Sequence, residues 1–324
     1  MLTFRVLLAR QQARDLPDSD PEALRMPSAP SQQQLAPVVP TTAGAAALPP
    51  PEPGWGLEAA LAAVEEARPH LPVVVGPVDE VLGLLTTVVL GAGQHVLKVY
   101  PPGTDVSHLD RVHAALAGSR TAACAVVPAV PTAHGVLTAA RRVASMRVAT
   151  WAEAGSVLRA FHEEHAAADV ADWAPLSRLD SQAALLPVEQ AEVLRTARDT
   201  LLDELSRTGS DLGPGVIHGD VSPSNVMHDG DAATLIDLDW VARGPREYDL
   251  TSASRRFRAG EIDRRAYRDF CAAYGHDVLS WDGLELVDRI ADLAGVVFRL
   301  WDCRHHGRGL DWLDAEVRLW RTPV

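Results

Sequence analysis

Four side chains suited to handling phosphate fall within twenty residues of one another. His218, Asp220 and Asn225 stand in Val-Ile-His-Gly-Asp-Val-Ser-Pro-Ser-Asn-Val-Met, and Asp237 follows in Leu-Ile-Asp-Leu-Asp-Trp. The order His-x-Asp-x-x-x-x-Asn, then an Asp after an apolar run, is what ATP-dependent phosphoryl transfer requires. Asp220 can orient an attacking hydroxyl and accept its proton late. Asn225 and Asp237 offer hard oxygen ligands, few in number, of the kind that hold Mg²⁺ when phosphates and water complete its shell. Each also has a plain alternative: a loop aspartate, an Asx-turn and a turn residue. Asp239 is open between facing the metal and simply ending its strand.

A second signal is compositional. The chain has 30 basic residues, and Lys98 is its one lysine. Where Arg fills every other basic position, a retained Lys suggests a task Arg cannot do, such as a compact ammonium against the α- and β-phosphates. The alternative is a strand-edge Lys guarding against aggregation.

The combined pattern resembles the aminoglycoside phosphotransferase and choline-kinase-like family of small-molecule kinases. The likeness covers roughly residues 72–320 and is sharpest over 216–250, where Gly-Pro-Arg-Glu-Tyr-Asp-Leu (244–250) also takes part. It implies an α+β, two-lobed protein-kinase-like fold. An antiparallel-sheet N-lobe is expected over 57–148 and a mainly helical C-lobe over 149–324. ATP and Mg²⁺ would sit between them, near a hinge at 141–149. The implied reaction moves the γ-phosphoryl group to a hydroxyl of a small molecule, an aminoglycoside or another amino alcohol such as choline. The resemblance also implies scaffold roles for His218 and Asp249, and an acidic partner for Lys98 on the following helix. Asp110 is the candidate for that partner, although an aspartate is shorter than the glutamate expected. No Gly-x-Gly-x-x-Gly occurs. Gly83 and Thr86, one hairpin before Lys98, are the candidates for covering the phosphates: Gly83 by close backbone approach, Thr86 by its hydroxyl. Two rival readings stay open: an inactive nucleotide-binding module of the same fold, and a kinase acting on protein side chains. Against the latter, only about eleven residues separate Asp237 from Asp249, and no Asp-Phe-Gly/Ala-Pro-Glu frame is present.

Composition narrows the partners. The net charge is −13, and residues 151–324 hold 31 acidic against 19 basic residues. An acidic half disfavours nucleic acid. No run of 18 apolar residues occurs, so no membrane partner is expected. Cys124, Cys271 and Cys303 are too scattered for a disulfide framework, which fits a reducing cytoplasm. The first ten residues do not read as a signal peptide. His162-Glu163-Glu164-His165 spaces its histidines three apart, not the four of a zinc-protease helix, and a packed role is expected for His162. Cys303, His305 and His306 read as a helix end.

The elements that must carry these groups are legible from periodicity. Residues 1–54 hold ten of the 23 prolines, and residues 1–56 read as a disordered Pro/Ala-rich tail. A helix is expected over 57–70, strands over 73–75, 80–85, 86–90 and 95–100, a helix over 107–117, and strands over 124–130 and 135–139. Helices follow over 152–165 and 188–205. The motif region reads as two short strands flanking a loop, and the chain is helical again from 253.

Overall fold

A computed structural model of the chain describes residues 41–42, 45–143, 147–230 and 232–323. The order of elements is helix α1 (Leu57–Ala67), strands β1 (Glu80–Leu84), β2 (Val88–Ala92) and β3 (His95–Tyr100), helix α2 (Val106–Ala115), then strands β4 (Val130–Thr132) and β5 (Gly135–Arg141). The five strands form one antiparallel sheet in the order β1-β2-β3-β5-β4. Alternation in β2 and β3 turns Val88, Leu90, Leu97 and Val99 into a core with Ala60, Ala63 and Val64 of α1. Lys98 therefore projects from the opposite face, paired in register with Val89 and Thr138. The β2–β3 turn is the two-residue Gly93-Gln94, with Gly93 at φ 63°. Residues 73–75 form no strand, and the strand expected at 124–130 is reduced to β4 and a single bridge between Ala125 and Ala140.

The remainder is helix α3 (Trp151–Glu164), α4 (Leu179–Ala183), α5 (Val188–Arg207), strands β6 (Pro214–Ile217), β7 (Val226–Asp229), β8 (Ala232–Leu235) and β9 (Ala242–Pro245), then α6 (Tyr248–Arg258), α7 (Arg264–Tyr274), α8 (Leu284–His305) and α9 (Leu313–Leu319). Local chemistry starts two of these helices firmly. Thr150 and Glu153 form a reciprocal capping box on α3, and Asp263 accepts from the Ala266 N–H on α7. The long α8 buries twelve residues from Val287 to Cys303, seven of them in the main core, and Trp281, Trp301 and Trp320 are buried. Among the described residues no helix is long and apolar enough to cross a membrane.

One expectation fails for a definite reason. The tail was expected to reach residue 56, and residues 1–40, 43 and 44 lie outside the described residues. From Ala47 on, however, the segment is packed. Ala47 and Leu48 join a cluster with Tyr100, Leu109, Val136 and Trp240. The Ala47 carbonyl accepts from Asp105 N at 2.8 Å, Leu48 O from Arg178 Nε at 2.7 Å, and Pro51 O from Trp301 Nε1 at 2.9 Å. Trp55 Nε1 donates to His134 O at 2.8 Å. A proline-rich strip has few N–H groups to satisfy but every carbonyl to offer. It suits a place where folded elements present Arg and Trp donors, which composition alone does not reveal.

Candidate active site

Strand β6, paired with β9 through Ile217 and Ala242, delivers His218-Gly219-Asp220 at its end. The loop is held from behind by Asp249, in the first turn of α6. Its carboxylate accepts from His218 N at 2.6 Å and Gly219 N at 2.7 Å. It also meets His162 Nε2 of α3 at 2.9 Å, and the other His162 nitrogen meets Tyr274 OH at 2.8 Å. Asp249 and His162 are almost wholly buried, so these bonds leave no buried charge without a partner. Burial lowers the His218 pKa and keeps the ring neutral. With the Ile236 carbonyl 3.0 Å from Nε2 and the Asp220 N–H donating to Nδ1 at 3.3 Å, the geometry selects the Nε2–H tautomer. Gly219 is required: φ is 85°, and a Cβ would lie 2.5 Å from that of Trp240.

Asn225 closes a short 3₁₀ turn after Pro223. Its amide donates to the Asp220 carbonyl at 2.7 Å and to Asp220 Oδ2 at 3.0 Å. Its own carbonyl accepts from Ile236 N at 3.0 Å, which sets Asn225 beside Asp237. The β7–β8 hairpin enforces this neighbourhood by pairing Val226 with Leu235. Asp237 adopts φ 65°, a left-handed backbone rare for a non-glycine residue and concentrated at functional sites.

From the sheet side, Lys98 Nζ donates to Asp237 Oδ1 at 2.5 Å and to Asp239 Oδ2 at 2.6 Å. Tyr100, two positions on and so on the same face of β3, donates its hydroxyl to Asp239 Oδ1 at 2.7 Å. Burial works to lower the Lys98 pKa, but the two carboxylates outweigh it and hold the ammonium well above its ordinary value. Asp237 is held below the usual carboxylate range: Lys98 overcomes its burial. Asp220 has no such partner. Burial, then the Asp237 charge, pushes its carboxyl up to about 7.

The structure thus brings Asp220, Asn225, Asp237 and Lys98 into one cluster, with His218 and Asp249 behind it. Asp110 does not join them. Its carboxylate accepts from Ala129 N at 2.7 Å, so the expected Lys98–Asp110 pair gives way to Asp237 and Asp239. A short aspartate on α2 finds the nearby loop N–H; the two acids arriving from the β8 end reach the ammonium. Gly83 lies at a register shift in the β1–β2 ladder, and Thr86 sits half-buried in the connecting loop. Tyr100 and the Lys98 role of Asp239 escaped the sequence reading. The signals were present: Lys-x-Tyr on one strand face and Asp-x-Asp after an apolar run.

The residues fit a divalent cation. Among the described residues no hydrogen bond reaches Asn225 Oδ1 or Asp237 Oδ2. Among the described residues no cluster of three or more His, Cys, Asp or Glu side chains forms a closed metal cage. Two hard oxygen donors with open positions suit Mg²⁺ shared with phosphates better than a structural metal.

The sheet, the helical lobe and the cluster between them define a phosphotransferase of the two-lobed kinase-like fold. The family model for the phosphotransferase enzyme family matches residues 85–287, and the chain belongs to that family. No curated protein matches it in sequence. Among solved structures it is similar to the choline kinase LicA from Streptococcus pneumoniae, at 14% identity and TM-score 0.55, covering 81% of this chain and 97% of that one. It is likewise similar to a choline/ethanolamine kinase family protein from Mesorhizobium loti (18%, 0.53, 81% and 98%). A third is a microcompartment-associated aminopropanol kinase (18%, 0.52, 81% and 94%). These likenesses show the shared α+β fold.

Proposed function

We propose that this protein transfers the γ-phosphoryl group of ATP, with Mg²⁺, to a hydroxyl of a small amino-bearing molecule. The observation that carries the reading is the convergence of Asp220, Asn225, Asp237 and Lys98 from separate elements into one cluster. Asp220 holds the acceptor hydroxyl and takes its proton. Asn225 Oδ1 and Asp237 would hold Mg²⁺, which supplies charge neutralisation on the phosphates. Lys98 holds the α- and β-phosphates, and Gly83 and Thr86 cover them. His218 and Asp249 keep the loop in place. The named substrates of the similar proteins (choline, ethanolamine, aminopropanol) favour an amino alcohol as acceptor.

Part of the acidic C-terminal surface is already engaged. Asp263 caps α7, Asp269 pairs with Arg265 at 3.6 Å, and Asp288 lies between Arg255 and Arg258.

The test is ADP release with Mg²⁺-ATP across amino alcohols, choline, aminoglycosides and sugars. Turnover with one class names the acceptor. Thermal stabilisation by ATP with no ADP on any acceptor is the outcome of the inactive-module reading. A base with its carboxyl near 7 must be ionised to act. Plotted against pH, kcat/KM for the acceptor is therefore expected to rise about tenfold per unit on the acid side, bend near pH 7 and level off above it. A flat profile between pH 5 and 8 removes Asp220 from that role.

A further inference from the structure

We propose that Asp239, oriented by Tyr100, is the standing carboxylate partner of Lys98 and positions its ammonium for nucleotide phosphates. The inference rests on the phosphotransfer reading above and deepens it. Two carboxylates compete for one ammonium, and they differ. The Asp237 side chain is 37% exposed and has only one oxygen on Lys98. The Asp239 side chain is 8% exposed, and both its oxygens are engaged, one by Lys98 and one by Tyr100.

Phosphate arriving at Lys98 can displace Asp237 at small cost, because that carboxylate keeps solvent and would serve as a ligand to the metal. Displacing Asp239 would strand a buried charge. Lys98 therefore exchanges Asp237 for phosphate and keeps Asp239 throughout.

The surroundings agree. His108 Nε2 of α2 lies 3.5 Å from the Asp239 backbone carbonyl. The next residue, Trp240, is buried, with the Arg178 guanidinium 4.9 Å from its ring centroid. Asp239 is thus anchored to the sheet, to α2 and to the helical lobe. The task expected of Asp110 has moved to an acid two residues after Asp237.

The test is calorimetric binding of a non-hydrolysable ATP analogue with Mg²⁺, which needs no acceptor, alongside a thermal melt of each variant. Asp239→Asn is expected to weaken the analogue about tenfold or more, and Tyr100→Phe several-fold. Asp239→Glu should recover part of the loss. Asp110→Asn is expected to bind like wild type. In a Lys98→Met background, Asp239→Asn should cost little further affinity, because its effect acts through Lys98. Should Asp239→Asn not fold, Tyr100→Phe on the two backgrounds makes the same comparison. Wild-type affinity in Asp239→Asn or Tyr100→Phe, or an equal loss with and without Lys98, overturns the proposal and leaves the phosphotransfer reading intact. A wild-type protein that binds no nucleotide removes both.

Discussion

Asp220→Asn is expected to lower turnover by about three orders of magnitude while raising the melting temperature of the nucleotide-free protein. The first effect follows from chemistry: a positioned base contributes about 10²–10⁴ in rate, and an amide keeps the shape of the carboxylate without its proton affinity. ATP-analogue binding should survive, because the role proposed for Asp220 is toward the acceptor hydroxyl and not the nucleotide. The second effect follows from linkage. The folded carboxyl titrates near 7, above its value in an unfolded chain, so the folded state binds the proton more tightly. Stability is then lost as pH rises from about 4 to 7 and stays level above that. The amide has no charge to bury. The gap in melting temperature between variant and wild type should be smallest near pH 4, widen to about pH 7, and reach at least about 2 °C. Turnover within tenfold of wild type would remove Asp220 as the base. An unchanged melting curve at every pH would mean that the cleft solvates its carboxylate fully.

Deleting residues 1–55 is expected to lower the melting temperature by roughly 5–15 °C relative to deletion of residues 1–46. The segment between these cuts buries Leu48 to 2% exposure. It also supplies the carbonyls on which Arg178 and Trp301 rest. Losing one buried leucine costs about 2 kcal/mol. Each buried donor left without an acceptor costs about 1–3 kcal/mol more. Against a typical total of about 5–15 kcal/mol, that is a large fraction. The cluster around Leu48 contains Tyr100 and Trp240, so nucleotide affinity should fall with stability. Equal melting curves for the two deletions would show that the contacts are dispensable.

These two expectations differ in origin. Asp220 stood out as the candidate base from a run of eight residues, because a loop that would present a base and a metal ligand together has little freedom in spacing. The turn from Pro223 to Asn225, the bond from Asn225 to Asp220 and the left-handed residue at Asp237 all lie within that local frame. The helical and strand periodicities likewise placed the main elements, because one buried face imposes a 3.6- or 2-residue repeat on its own segment. The role of Asp249 in bracing the loop came through with the family likeness. His162, which completes that network from α3 together with Tyr274 of α7, was expected only to pack.

The sequence by itself determined which side chains form the candidate site and the class of chemistry they suit, since spacing along the chain limits both. Only the tertiary structure decided how charge is shared among them. Lys98 is 139 residues from Asp237 and 141 from Asp239. Whether those acids or Asp110 reach its ammonium depends on how the sheet docks against the β7–β8 hairpin. The same holds for Ala47–Trp55, whose composition suggested a loose tail. Its carbonyls became structural because distant Arg and Trp side chains, buried by other elements, needed acceptors there.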